Sequence, residues 1–370
     1  MPPFPIATTG RVLLLSAVDL SAPPGGRAML SRTNLLVLRD LLGDRLVHVR
    51  PPRSTSRPRD AWRGWVDGID AALIADLVAR IDAEGITQMF VDGSNYGAAV
   101  AAVKRARPRV RIITFFHNVE ARFFWGAMRT RRTVKSVAVL GANWLAEKMA
   151  VRRSDILVTL SDRDSAGLRR LYGRGADAVA PMVLEDRAAP TPPAPAIPGG
   201  YLLFVGGGFY ANIAGIRWFA QEVAPRIDLP VKVVGRAMDE LTDVLRAIPN
   251  VELVGAADDL APWYAGATLV IAPIFDGSGM KTKVAEALMY GKRIAATPEA
   301  LSGYANDVVA ASWCCEDADA FVRAVADVVA VPPPPYDPAM RALYERDHSR
   351  TAGAARLRHI MAPSINSTLA

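Results

Sequence analysis

The feature that most constrains this chain is an alternation repeated in both halves. Short apolar runs, each continuous rather than alternating, end at a small or polar turn and lead into a helical pattern. In the first half they fall at residues 11–18, 46–49, 89–92, 110–116 and 155–160. In the second they fall at 201–205, 231–235, 251–255, 268–272, 292–297 and 307–311. A continuous apolar run suits a parallel strand covered on both faces, and strands alternating with helices give a doubly wound α/β domain. Between the halves, residues 191–200 read Thr-Pro-Pro-Ala-Pro-Ala-Ile-Pro-Gly-Gly, a semi-rigid linker. The expected organisation is a domain over 1–186, a linker over 187–200, a second domain over 201–340 and terminal helices over 341–370. Two parallel-sheet Rossmann-like domains facing a central cleft follow from this pattern.

The second half holds the most specific chemistry. An apolar strand ends at Pro273, and Gly277, Ser278 and Gly279 make a turn. Met280, Lys281 and Lys283 open the next helix, and Glu286 lies on its second turn. Backbone N–H groups converging at a helix N-terminus, with the helix dipole behind them, attract an anion. The lysines add full charge to the same place. A carboxylate one turn on suits sugar hydroxyls. Gly206, Gly207 and Gly208 form an equivalent strand–turn–helix onset, with Asn212 expected to cap the helix that follows. Gly235 and Arg236 end the next strand.

The run from Lys283 through Glu286, Ala287, Leu288, Met289, Tyr290 and Gly291 to Pro298 resembles the donor-site signature of nucleotide-sugar glycosyltransferases of the GT-B fold, family four. The resemblance implies a nucleotide-diphospho-sugar donor held in the C-terminal domain. It also implies a saccharide or lipid-linked glycan acceptor at the N-terminal one, retention of anomeric configuration, and no metal or other cofactor. A sugar-nucleotide epimerase and a non-catalytic nucleotide-binding protein of the same fold are the alternatives. Two departures stand out. Ser278 occupies the position where many members carry a second Glu. Residues 209–215 lack the Arg and Lys that relatives use for the diphosphate, which leaves Lys281, Lys283 or Arg236 to meet that charge.

Side chains just past strand carboxyl ends point into the ligand crevice of open α/β sheets. In the first half this selects His117, in the run His-Asn-Val-Glu at 117–120, as the catalytic candidate; the same loop resembles the family's His-containing loop, which implies contact with the donor sugar. Were the enzyme inverting, Asp19, His117 or Glu120 would be the base. The resemblance implies that the loop holding Gly25, Gly26 and Arg27 lies near the acceptor and the donor phosphates. Asp162 and Asp164 imitate a metal motif, but Ser161 before them reads as a helix cap with acids in the first turn.

Charge separates the halves. Residues 1–186 carry 28 Lys and Arg against 18 Asp and Glu, and the remainder 16 against 19. Basic residues interleave with Trp62 and Trp65, and residues 121–153 read as a long basic helical segment beginning with Phe123, Phe124 and Trp125. This pattern predicts an anionic membrane surface as partner, not nucleic acid. The two cysteines are adjacent, no apolar run is long enough to span a bilayer, and no signal-like start is evident. The expected location is the cytoplasm, at the inner face of the membrane.

Overall fold

The computed structural model describes residues 10–20, 26–52, 58–130, 133–188 and 200–362. The chain divides into two units, Met1–Val183 with Arg350–Ala370, and Leu184–Ser349.

The first unit is built on a six-stranded parallel sheet in the order β2-β1-β3-β4-β5-β6. Its elements are β1 (Arg11–Leu15), α1 (Gly26–Leu42), β2 (Leu46–Val49), α2 (Pro58–Ala61), α3 (Ala71–Ala83), β3 (Ile86–Asp92) and α4 (Gly97–Ala106). They continue with β4 (Arg111–Phe116), α5 (Glu120–Thr130), α6 (Val134–Arg153), β5 (Ile156–Thr159), α7 (Asp162–Tyr172) and β6 (Ala178–Val179). Leu13, Leu14 and Leu15 are all fully buried, so both faces of the central strand are covered and the sequence there cannot alternate. The helical segment expected over 121–153 is a pair of helices. Thr133 and Ser136 form a reciprocal capping box that starts α6 afresh. Ser161 accepts a hydrogen bond from the Asp164 amide, so this Asp-x-Asp begins a helix, as its sequence suggested.

The second unit repeats the plan, with a six-stranded parallel sheet ordered β12-β11-β10-β7-β8-β9. Its elements run β7 (Leu202–Val205), α8 (Tyr210–Glu222), β8 (Val231–Val234), α9 (Thr242–Arg246), β9 (Val251–Gly255), α10 (Ala261–Gly266), β10 (Leu269–Ala272) and α11 (Thr282–Met289). Then come β11 (Ile294–Ala296), α12 (Pro298–Leu301), α13 (Asn306–Ala310), β12 (Trp313–Cys314), α14 (Ala318–Ala330) and α15 (Pro338–Asp347). The expected strand at 307–311 is helix α13 instead. Four small or β-branched residues were too short a run to separate the two states, and the sheet ends on Trp313 and Cys314, whose partners are Ala295 and Ala296.

The chain then returns to the first unit as α16 (Arg350–Met361). Arg111 donates to the Met361 and Ala362 carbonyls at 2.9 and 2.8 Å, satisfying C-terminal acceptors that a helix leaves open. Residues 341–349 lie in the second unit, as do Arg187 and Ala188 from the expected linker. The Arg341 guanidinium holds Asp186 and the Met289 carbonyl, which fastens α15 there. Residues 189–199 are outside the described set.

Lys292 is a buried structural cation. Its Nζ donates to the Ala265, Ala267 and Pro335 carbonyls at 2.9, 2.9 and 2.6 Å, and burial pushes its pKa down to about 8. Lys292→Met leaves three buried acceptors without a donor. We expect it to destabilise the second unit by about 2–4 kcal/mol, read from its urea unfolding midpoint; an unchanged midpoint would refute the clamp.

Candidate functional site

Two polar constellations lie at the carboxyl ends of the two sheets, one in each unit. Each sits where the strand order reverses. In the first unit the chain leaves β1 for β2 on one side and returns to β3 on the other. In the second, β8 and β9 lie to one side of β7 and β10 to the other. Such switch points part the loops above them and open a crevice.

In the first unit, Ser16 follows β1, Asp92 ends β3 and His117 follows β4. Asp92 is the hub. Its carboxylate accepts from Ser16 Oγ at 2.8 Å, Asn34 Nδ2 at 2.9 Å and His117 Nε2 at 2.9 Å. Burial works against the Asp92 charge, but His117 and the hydroxyl and amide donors outweigh it and hold the carboxyl below its usual range. With Nε2 directed at a carboxylate, that nitrogen carries the proton. His117 Nδ1 is then the position left for chemistry, and it is buried with no hydrogen-bond partner among the described residues. Ser31 Oγ lies 3.5 Å from Nε2, at the limit of a contact.

Sequence reasoning found His117 but passed over Asp92. The signal was available, since Asp92 is a lone acid at a strand's carboxyl end. Glu120 opens α5 and is buried. Its amide donates to Glu147 Oε1 at 2.8 Å, so the loop after His117 is pinned from beneath by a carboxylate the sequence did not single out. Burial pushes Glu147 up to about 7, against the Tyr172 hydroxyl and the two backbone amides that favour its charge. Asp19 is ion-paired with Arg50 at 2.7 Å, which ties up the carboxylate proposed as an alternative base. Gly25 lies outside the described residues, and so does the Arg27 side chain; Gly26 is the first residue of α1 rather than a loop residue.

In the second unit, three loops converge. A Cβ on Gly235 would lie 1.6 Å from the Gly206 carbonyl oxygen, and one on Gly208 would lie 1.8 Å from that of Ala237. These two glycines therefore let the loops after β7 and β8 pack backbone on backbone. Gly277 and Gly279 take positive φ of 129° and 67°, which shapes the turn before α11. Lys281 is the N-cap residue of α11 rather than part of its first turn. Asn212 does not cap α8; Phe209 holds that position. The Asn212 amide instead bridges the loops, donating to Gly207 O and accepting from Lys283 Nζ at 2.8 Å.

Lys283 is 5% exposed, its ammonium 5.0 Å from the centre of the Phe204 ring. Burial, then Lys281 nearby, push its pKa down to about 7. Lys281 donates to the Gly279 carbonyl at 2.9 Å and pairs with Glu299 at 3.3 Å, so part of its charge is already answered. Glu286 accepts from Tyr264 at 3.1 Å, and Tyr264 stacks on Tyr290. Burial raises the Glu286 pKa. Arg236 is exposed, 3.5 Å from Asp258. Ser278 and Met280 lie on the same turn; Met280 is buried. Asn212, Tyr264 and Glu299 are the partners sequence reasoning missed, because each is remote in the chain from the lysine or glutamate it holds.

Residues 199–330 match the sequence profile of the family described as Glycosyl transferases group 1. This stretch is a group 1 glycosyltransferase domain. No curated protein matches this chain. Among solved structures it is similar to the Anabaena protein HepE in complex with UDP, with TM-score 0.62, 13% identity, and 95% of this chain and 99% of that one covered. It is also similar to sucrose-phosphate synthase from Thermosynechococcus elongatus, with TM-score 0.68, 15% identity, and 95% and 98% covered. A glycosyltransferase from Rickettsia africae gives TM-score 0.65, 11% identity, and 95% and 98% covered. At these identities the likeness is one of fold: the two parallel-sheet domains are those of GT-B glycosyltransferases.

Proposed function

We propose that the chain transfers a sugar from a nucleotide-diphospho-sugar to a saccharide or lipid-linked glycan acceptor, with retention and without a metal. The observation that carries this reading is Lys283, a buried cation where the loops after β7 and β10 meet the start of α11. A buried ammonium at a helix N-terminus is costly unless an anion answers it, and a diphosphate leaving group is such an anion. As the glycosidic bond breaks, charge grows on that diphosphate, and Lys283 with Lys281 and the loop amides stabilises it. These cations stand in for the divalent ion that other transferases use. Glu286 meets the ribose hydroxyls.

HepE was solved with UDP and with UDP-glucose, which favours a uridine donor here. His117 Nδ1 touches the donor sugar, and a leaving phosphate oxygen takes the acceptor's proton. The acceptor assignment is supported by the excess of Lys and Arg over Asp and Glu in residues 1–186. Among the described residues no helix is long and apolar enough to cross a membrane.

A thermal-shift panel of UDP-, GDP- and ADP-sugars tests the donor. We expect a UDP-sugar to raise the melting temperature and transfer to persist in EDTA. No shift with any donor would sink the reading, and epimerised donor formed without acceptor would replace it with an epimerase.

A further inference from the structure

A groove of about 750 Å³ runs between α5, α6 and α7. Trp125, Val137, Leu140, Trp144 and Leu171 line it, and Arg122 and Arg170 complete the lining. Several of its apolar residues face solvent. Trp125 is 53% exposed, Val137 56%, Leu171 44% and Trp144 38%. A folded protein rarely leaves such a cluster uncovered without a partner for it.

Charge says what kind of partner. The only acids on α5 and α6 are Glu120 and Glu147, and both are buried. The surface of these two helices therefore offers water only cations: Arg122, Arg129, Lys135, Lys148, Arg152 and Arg153. Lys148 lies over the Trp144 ring at 4.4 Å. Aromatic and aliphatic side chains with Arg122, Arg170 and Lys148 beside them match the boundary between a lipid's chain and its phosphate headgroup. A protein partner would have to bring a surface both apolar and acidic.

The groove is also built to hold its shape. Glu147 on α6 accepts from the Glu120 and Ala121 amides of α5 at 2.8 and 3.1 Å, and from the Tyr172 hydroxyl of α7 at 2.6 Å. One buried carboxylate thus joins its three walls. Val119, two residues after His117, lines the groove as well, so it begins at the loop that carries the catalytic candidate.

We propose that this groove holds a hydrocarbon chain of a phosphate-headed lipid of an anionic membrane leaflet, with the phosphate at Arg122 and Arg170. The inference deepens the lipid-linked acceptor reading above and rests on it. It places the headgroup end of the lipid beside the 117–120 loop, where an attached acceptor sugar would be presented.

The test is flotation with vesicles of phosphatidylglycerol bearing bromine on the acyl chains, which quenches tryptophan only at close range. We expect wild-type protein to float and its fluorescence to be quenched, with phosphatidylcholine vesicles retaining little. Trp125→Phe with Trp144→Phe should keep the binding and lose most of the quenching. Arg122→Gln with Arg170→Gln should weaken binding roughly thirtyfold. Val137→Glu with Leu171→Glu, both at exposed positions, should abolish it while circular dichroism stays native. Failure of wild type to float at low salt overturns the proposal. So does undiminished flotation of the Val137/Leu171 variant, or quenching that survives loss of both tryptophans. A concentration-dependent dimer lost in those variants, without lipid binding, would assign the groove to a second copy and overturn it too. Donor-induced thermal shifts are read on the same samples. Flotation without any donor shift upholds the groove and removes the transferase reading; a donor shift without flotation removes the groove alone.

Discussion

Replacing Lys283 by Ala should lower kcat/KM for the nucleotide-sugar at least about a hundredfold, the usual cost of removing one preorganised group that stabilises developing negative charge. Lys281→Ala should cost less, since Glu299 already answers part of its charge. The same site should show a stability effect of opposite sign. Lys283 is buried, and its folded pKa of about 7 lies below the ordinary value of 10.5. As pH falls from 10.5 towards 7, the unfolded chain takes up a proton that the folded one does not. Stability is therefore lost over that window, and the loss is complete below it. Lys283→Met removes this linkage, so the variant should melt no lower than wild type at pH 7, and its advantage should shrink towards pH 10. Donor binding carries the complementary signature. A diphosphate beside Lys283 favours the charged amine, so binding takes up a proton and affinity falls as pH rises above about 7. Calorimetry in buffers of differing ionisation enthalpy measures that uptake directly. Wild-type kinetics in Lys283→Ala, or donor affinity flat across this range, would remove the lysine from the site.

The second large effect is expected at Asp92. Asp92→Ala leaves Ser16, Asn34 and His117 as buried donors without an acceptor, and should cost about 3–5 kcal/mol of stability in the first unit. Because that loss of stability would mask any effect on chemistry, Asp92→Asn is the discriminating variant. It keeps the shape, but its amide can no longer fix the proton on His117 Nε2 against a full charge. We expect kcat to fall while the donor KM, set in the other unit, stays near wild type. The pH dependence has the same sense as the stability effect at Lys283, in a more acid window. The Asp92 carboxyl is depressed below its ordinary 3.8, so its contribution is present above that value and is lost as pH falls through and below it. Urea titrations between pH 3 and 7 should show wild type losing stability towards acid more steeply than Asp92→Asn. Equal slopes would deny Asp92 its role as the charged hub.

Much of this was legible in the residues. Continuous runs such as Leu13, Leu14 and Leu15 suit strands covered on both faces, and their alternation with helices leaves a doubly wound sheet as the economical solution. Gly277, Gly279, Lys281 and Lys283 at a strand-to-helix turn made an anion site the expectation there, because turn geometry and helix dipole are local properties. The misreadings were also local. The run at 307–311 lacked the length to separate helix from strand, and Asn212 had the chemistry of a cap but was needed elsewhere.

What the sequence alone determined is therefore the elements and the chemistry carried within a few residues of one another: the two α/β halves, the turn before α11, and His117 at a strand end. Only the tertiary structure decided which side chains meet. It set Asn212 against Lys283, Glu299 against Lys281, Asp92 against His117, and Glu147 beneath the start of α5. These pairs are separated by 71, 18, 25 and 27 residues, and no periodicity encodes them. The first follows from a strand order that sets the loops after the non-consecutive β7 and β10 side by side, and the others from the packing of neighbouring strands and helices. Burial and neighbouring groups there shift the ionisation of Lys283, Asp92 and Glu147, a property that belongs to the fold and not to any residue by itself.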